Sequence, residues 1–158
     1  MLRSLASRFL SAVRSAWRPD RRADGRPPAY AGDFTGTATV TYAPDPDGVP
    51  DPGEIVWTWV PFEEDHSLGK DRPVLIVSQR GSALLCVMLT SKDHDGRARE
   101  KDYIDIGTGS WDPRRRPSEV KVDRVLQIDP GAVRREGAIL ERERFDLVAA
   151  SLRERGWR

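Results

Sequence analysis

Six polar residues of this chain fall at the ends of apolar, strand-like runs: His66, Arg72, Thr90, Ser91, Lys121 and Asp123. Arginine offers a planar fork of donors that matches two oxygens of a carboxylate or phosphate. Serine and threonine hydroxyls donate to the same oxygens. Histidine, with an unperturbed pKa of about 6.5, exchanges protons near neutrality. A cationic fork on a rigid strand end, under a loop that carries a histidine, suits an anion. Each residue also has a structural explanation. Arg72 can pair with Asp71 or Glu64, Thr90 and Ser91 can end a strand or cap a turn, and Asp123 can close a turn or pair with Arg124. His66 and His94 are the only histidines, without cysteine partners or HExxH spacing, so no metal signature is present. There is also no P-loop, dinucleotide fingerprint or GxSxG elbow, which argues against a zinc hydrolase or a nucleotide-driven enzyme.

The elements that must position these residues are short strands. Ile55, Trp57 and Trp59 alternate with Glu54, Val56 and Thr58, the period of a half-buried strand. Val74 to Val77 is a β-branched run expected to be buried on both faces. The polar loop between them, Glu63 to Asp71, is too long for a tight hairpin, and Arg72 stands at the mouth of the second strand with Pro73 behind it. Gln79-Arg80-Gly81-Ser82 reads as a hairpin turn into Ala83–Leu89, which delivers Thr90 and Ser91. Strands are also expected at Thr37–Tyr42, Tyr103–Ile106 and Ser118–Ile128, with a turn of helix at Asp129-Pro130. Phe145, Val148, Ala149 and Leu152 mark the apolar face of a C-terminal helix stopped near Gly156. The fold expected is mostly β: a small antiparallel barrel capped by a helix.

With 158 residues the chain buries roughly 70% of its unfolded surface without disulfide or metal. The single Cys86 lies in an apolar run and reads as a core thiol. No apolar run approaches the length of a membrane span, so a soluble, cytoplasmic protein is expected. Residues 1–26 hold seven arginines against Asp20 and Asp24, a net +5, which leaves −4 for the remainder of a chain whose total is +1. Such a remainder is a poor sequence-blind binder of polyanions, so any nucleic acid must be held at a local site. Leu2, Leu5, Phe9, Val13 and Trp17 recur at helical spacing among arginines, a basic amphipathic helix over residues 2–18. Three readings stay open for it: docking on its own domain or a second copy, weak contact with a membrane surface or a partner, or a cleavable targeting segment. Residues 1–32 are expected to be this helix plus a Pro- and Gly-rich linker, and 33–158 the barrel domain.

Three stretches together resemble the MazF/PemK toxins of bacterial toxin–antitoxin pairs. The first is Gly53-Glu54-Ile55-Val56-Trp57 running through a loop into Arg72-Pro73-Val74-Leu75-Ile76-Val77. The second is Leu89-Thr90-Ser91, and the third places Asp123 before Ile128-Asp129. The resemblance implies an SH3-like barrel of the MazF/CcdB kind that forms a homodimer. It implies an endoribonuclease that cuts single-stranded RNA, notably mRNA, at short preferred sequences without a metal or other cofactor. It also implies a cognate antitoxin whose acidic, extended segment covers the cleft. The family's arginine after the loop falls on Arg72, its threonine on Thr90 and its loop histidine on His66. Its Arg-x-Asp falls on Lys121-Val122-Asp123. Lys121 thus replaces an arginine, Arg124 takes the place of the usual glutamine, and the stretch Lys92–Pro117 is longer than the family pattern.

Metal-free RNA cleavage makes the ribose 2′-OH the nucleophile against its own phosphate. The enzyme must accept a proton, steady a dianionic phosphorane and protonate the leaving oxygen. On this reading Arg72 stabilises charge, because an arginine pKa above about 12 makes it a reluctant base. Thr90 donates a hydrogen bond, His66 transfers protons, and Asp123 is base or orienter. Candidates for holding RNA are Lys70, Ser91, Lys121, Arg124 and Trp111. The last would stack on a base or else anchor its own Gly-Ser-Trp-Asp-Pro loop. Arg114-Arg115-Arg116 is either a solvated loop or a phosphate contact. Two other functions fit such a barrel: a non-catalytic binding module, or inhibition of gyrase by a toxin of the same fold.

Overall fold

The computed structural model describes residues 29–93, 96 and 100–158. The amphipathic segment at 2–18, linker residues 20–28 and His94 lie outside the described residues. Among those described there are eight strands: β1 (Asp33–Phe34), β2 (Glu54–Pro61), β3 (Gly69–Arg80), β4 (Ala83–Thr90), β5 (Tyr103–Gly107), β6 (Ser118–Lys121), β7 (Val125–Ile128) and β8 (Val133–Ile139). One helix, α1 (Arg142–Glu154), follows. The spatial order is β1-β7-β4-β3-β2-β8, with β6 also on β4 and β5 on β6. Every pairing is antiparallel. This is the mostly β, helix-capped antiparallel architecture expected from sequence. No helix among the described residues is long and apolar enough to cross a membrane.

The β3–β4 hairpin is the spine. Its two-residue turn needs a positive φ, and Gly81 supplies it at +60°. Alternation along the hairpin then feeds two cores. Ile55, Leu75, Val77, Leu85, Val87 and Leu89 pack with Phe145, Val148, Ala149 and Leu152 of α1. Val56, Val74, Ile76, Leu84 and Cys86 face the other way, against Leu126, Ile128 and Val133. Burying each such aliphatic side chain contributes about 1.5–3 kcal/mol. Cys86 is a fully buried free thiol, and burial pushes its pKa up. After α1, Gly156 takes φ +98° and Trp157 folds back edge-on to Phe34 at 5.9 Å.

Five details depart from the sequence reading. Strand β3 begins at Gly69, so Arg72 lies inside a strand and not at its mouth. Strand β2 is flanked by β3 and β8 and buried on both faces, with Trp57 and Trp59 its less buried positions. The single strand expected over 118–128 is two, because β4 pairs with β7 through Leu84–Cys86 and with β6 through Leu89–Thr90. Residues 37–42 form no ladder: Val40 N donates to the Arg158 carbonyl and Thr41 N to that of Val77, two unrelated partners. Strand β8 escaped notice because its charged centre hides the alternation.

The first strand's entry depends on one glycine. Gly53 has φ +99°, and a Cβ there would lie 2.8 Å from the Tyr42 ring. Beside it, Asp51 keeps one carboxylate oxygen buried without a hydrogen bond. Burial, then the charges of Asp47 and Asp45, raise its pKa to about 6. A carboxyl whose folded pKa exceeds its unfolded one contributes stability at low pH that is lost as pH rises from about 4 to 6. Asp51→Asn is therefore expected to stabilise the fold at pH 7 by at most about 1–2 kcal/mol, after allowance for solvent screening. The gain should vanish below about pH 4. Urea unfolding at the two pH values checks both; a gain independent of pH would contradict the assignment.

Candidate functional site

The hairpin that builds the core also builds the site. In β3 on β4, Val74 opposes Met88, Leu75 opposes Val87 and Ile76 opposes Cys86. Extending that register by two residues sets Arg72 across from Thr90. Both line a cavity of about 460 Å³ together with Lys70 and Ser91. Sequence reasoning did not single out Trp57, Lys92 or Asp112 for the site, which line it too, as does Arg116 of the run read as solvated loop or phosphate contact.

Arg72 is half-buried, and no carboxylate among the described residues lies within salt-bridge distance of it. Of the two structural partners expected, Asp71 is instead held by Arg134 at 3.2 Å. Burial lowers the proton affinity of Arg72, the nearby charge of Arg124 lowers it further, and Tyr103 works in the opposite sense. The guanidinium stays protonated all the same. A cation kept partly from water without a counter-ion has unspent attraction for an anion. The Thr90 hydroxyl oxygen accepts from the Lys92 N–H at 3.2 Å, which leaves its hydrogen free to be donated.

The remaining candidates form an ionic network rather than a wall of this cavity. Lys121 is buried and donates to Asp123 Oδ1 at 2.6 Å and Glu63 Oε2 at 3.4 Å. Of the readings open for Asp123 (a turn, a pair with Arg124, or the pair with Lys121 that the family's Arg-x-Asp implies), the pair with Lys121 is the one formed. Arg124, also buried, donates to both carboxylate oxygens of Asp33 (2.9 and 3.1 Å) and to the Pro61 carbonyl (2.8 Å). His66, exposed on the β2–β3 loop, has Nε2 3.8 Å from Asp33 Oδ1 and its ring edge-on to Tyr30. Asp33 also accepts the Tyr30 hydroxyl at 2.5 Å. Two residues of the loop thus face the network, Glu63 bonded to Lys121 and His66 beside Asp33. The two groups of residues meet electrically where Arg124 acts on Arg72.

Trp111 is 4% exposed. Its indole N–H donates to Ser118 Oγ at 3.0 Å, and its carbonyl accepts from Trp57 Nε1 at 2.9 Å. Of the two roles left open for it, it fills the loop anchor, and its ring offers no free face to a base. Nothing in the sequence marked Asp33 or Glu63, since their partners lie 91 and 58 residues away. A second cavity of about 500 Å³, lined by Tyr30, Trp59, Ala83, Ile128 and Ala132 among others, contains none of the candidate residues. The convergence of cations and hydroxyls selects the first.

The family model for PemK-like, MazF-like toxins of type II toxin–antitoxin systems matches residues 51–155. No curated protein matches the chain. Among solved structures it is similar to the toxin MazF-mt6 of Mycobacterium tuberculosis, at 15% identity and TM-score 0.46, over 64% of this chain and 93% of that one. It is also similar to a chain of MazE-MazF from Deinococcus radiodurans, at 18% identity and TM-score 0.48, over 67% and 94%.

The network generates a prediction about Asp33. Burial alone would raise its carboxyl pKa, but the hydrogen bonds from Arg124 and Tyr30 and the charge of Arg124 hold it below the ordinary value. A lowered carboxyl contributes stability present above about pH 4 and lost as pH falls further. Asp33→Ala leaves the Arg124 guanidinium buried with only the Pro61 carbonyl. It should cost on the order of 1–3 kcal/mol at pH 7, less than a fully buried pair because Asp33 is part-exposed. The deficit should shrink below pH 4; urea unfolding of both proteins at pH 7 and 3 measures it.

Proposed function

The chain belongs to the PemK-like, MazF-like toxin family of type II toxin–antitoxin systems, and from that premise we propose that it is an endoribonuclease. It cleaves single-stranded RNA at short preferred sequences without a metal. The 2′-oxygen of one nucleotide attacks the adjacent phosphorus, the P–O5′ bond breaks, and the products carry a 2′,3′-cyclic phosphate and a 5′-hydroxyl. The observation that carries this reading is Arg72: a half-buried guanidinium without a carboxylate partner among the described residues, facing a cavity it shares with Thr90.

In this mechanism the Arg72 fork takes two phosphate oxygens and gains strength as they acquire the second negative charge. Thr90 donates a hydrogen bond to the same group. His66, on the exposed β2–β3 loop, is the proton-transfer residue in this proposal. Asp123, oriented by Lys121, is the second such group, as base or orienter. Lys121 supplies charge without the bidentate geometry of an arginine. Lys70 and Ser91 contact the RNA backbone, and Arg124 contributes through its field on Arg72. Two copies form a homodimer, and an acidic segment of a cognate antitoxin competes with RNA for the cationic cavity. One observation favours a second reading, a binding module without catalysis: His66 contacts Asp33 and Tyr30 and is absent from the cavity lining.

Incubation with a long unstructured RNA in chelator separates the two. Discrete fragments with 5′-hydroxyl ends are expected; intact RNA supports the binding module. Arg72→Ala is expected to lower the cleavage rate about a hundredfold or more with the fold retained. Undiminished cleavage by that variant rejects the assignment.

A further inference from the structure

The Arg114–Arg116 run contains one residue that is neither solvated loop nor simple ion pair. Arg116 is about half exposed at its side chain (49%), yet its Nε donates to Asp112 Oδ2 at 2.8 Å. Asp112 is itself 4% exposed. Its other oxygen accepts the Arg114 N–H at 2.9 Å, so both oxygens are engaged. Arg115 adopts φ +50°, a left-handed conformation that an arginine takes only under constraint. Its N–H closes the turn on the Asp112 carbonyl at 2.9 Å. The turn is seated on the barrel by Trp111, which is bonded to Trp57 and Ser118.

The result is an arginine held by its inner nitrogen, with the two outer nitrogens unpartnered among the described residues. Arg116 lines the same cavity as Arg72. In that lining the four cations Lys70, Arg72, Lys92 and Arg116 stand against two carboxylates, Asp71 (held by Arg134) and Asp112 (held by Arg116), so the cavity is net positive. A buried acid that fixes an exposed arginine reduces the entropy the arginine loses when it grips a ligand.

We infer that Arg116 is a second phosphate-binding residue of the site, taking a neighbouring phosphate of the strand whose scissile phosphate lies at Arg72. The inference rests on the reading of the cavity as an RNA site. It makes the segment before β6 a part of the substrate channel: Asp112 is the positioning residue and Arg116 the contact. Two fixed guanidinium groups set the direction and spacing of the strand, so bases are presented in one register.

The test uses the full chain and a single-stranded RNA of mixed sequence with 2′-fluoro riboses, which binds without offering a nucleophile. Binding is titrated against NaCl. Neutralising one phosphate on a single strand contributes about 0.7 to the slope of log affinity against log salt. Arg116→Ala is expected to lose about 0.7 of that slope and roughly tenfold in affinity at low salt. Arg116→Lys should restore the slope with only part of the affinity, since it keeps the charge and loses the fork. On cleavable RNA the Ala variant should raise KM with kcat unchanged. A wild-type slope in Arg116→Ala overturns this inference alone. So does a loss that Lys fails to restore, because the role is then structural. Absence of RNA binding by the wild-type chain overturns both this inference and the RNA reading beneath it.

Discussion

Eight residues of β4 have to serve three partners, and the remainder of the architecture follows from how they do it. One edge pairs with β3 along the hairpin. The other is divided between β7 at Leu84–Cys86 and β6 at Leu89–Thr90. Two strands cannot share an edge without a break between them, so the chain leaves the ladder at residues 122–124. That break holds Asp123 and Arg124, and it is there that the ionic network forms. The same register fixes Thr90 relative to Arg72. Core packing and polar geometry thus rest on one set of backbone hydrogen bonds, and a one-residue slip would turn every side chain of the hairpin over.

Two arginines show what the protein does with positive charge. Arg124 is buried and fully served: a carboxylate on one side, a backbone carbonyl on the other. Burial works against its charge, but the Asp33 hydrogen bond and the charges of Asp33, Tyr30 and Glu63 together outweigh it and raise its pKa. Arg72 is also partly withdrawn from water and has no such compensation among the described residues. Desolvation without a partner is unfavourable, and a fold retains it only where another interaction repays the cost. The contrast within one molecule distinguishes a structural guanidinium from one kept ready for a ligand.

Much of this was readable in the sequence where the physics is local. Alternation disclosed β2, continuous apolar runs the hairpin, Gln79-Arg80-Gly81-Ser82 its turn, and the 3.6-residue spacing of Phe145, Val148, Ala149 and Leu152 the helix. Of the six residues grouped by strand ends, Arg72, Thr90 and Ser91 line one cavity and His66, Lys121 and Asp123 do not. What escaped was non-local. β8 is held by pairing with β2, which overrides its charged composition. Asp33 finds Arg124 across 91 residues, a distance over which no pattern in one sequence carries information. Trp111 was legible as either a stacking platform or an anchor; which of them it is depends on burial, and burial is a property of the assembled sheet.

Asp33 lies before the span shared with the family, residues 51–155, yet it holds a residue inside that span. An uncharged side chain at position 124 would need no carboxylate, and Asp33 without Arg124 would keep only Tyr30 and His66 beside it. A carboxylate from outside the matched span thus completes the surroundings of a cation within it. A chain trimmed to the matched span would leave the Arg124 guanidinium buried against the Pro61 carbonyl, so the upstream residues are part of what the barrel needs to fold.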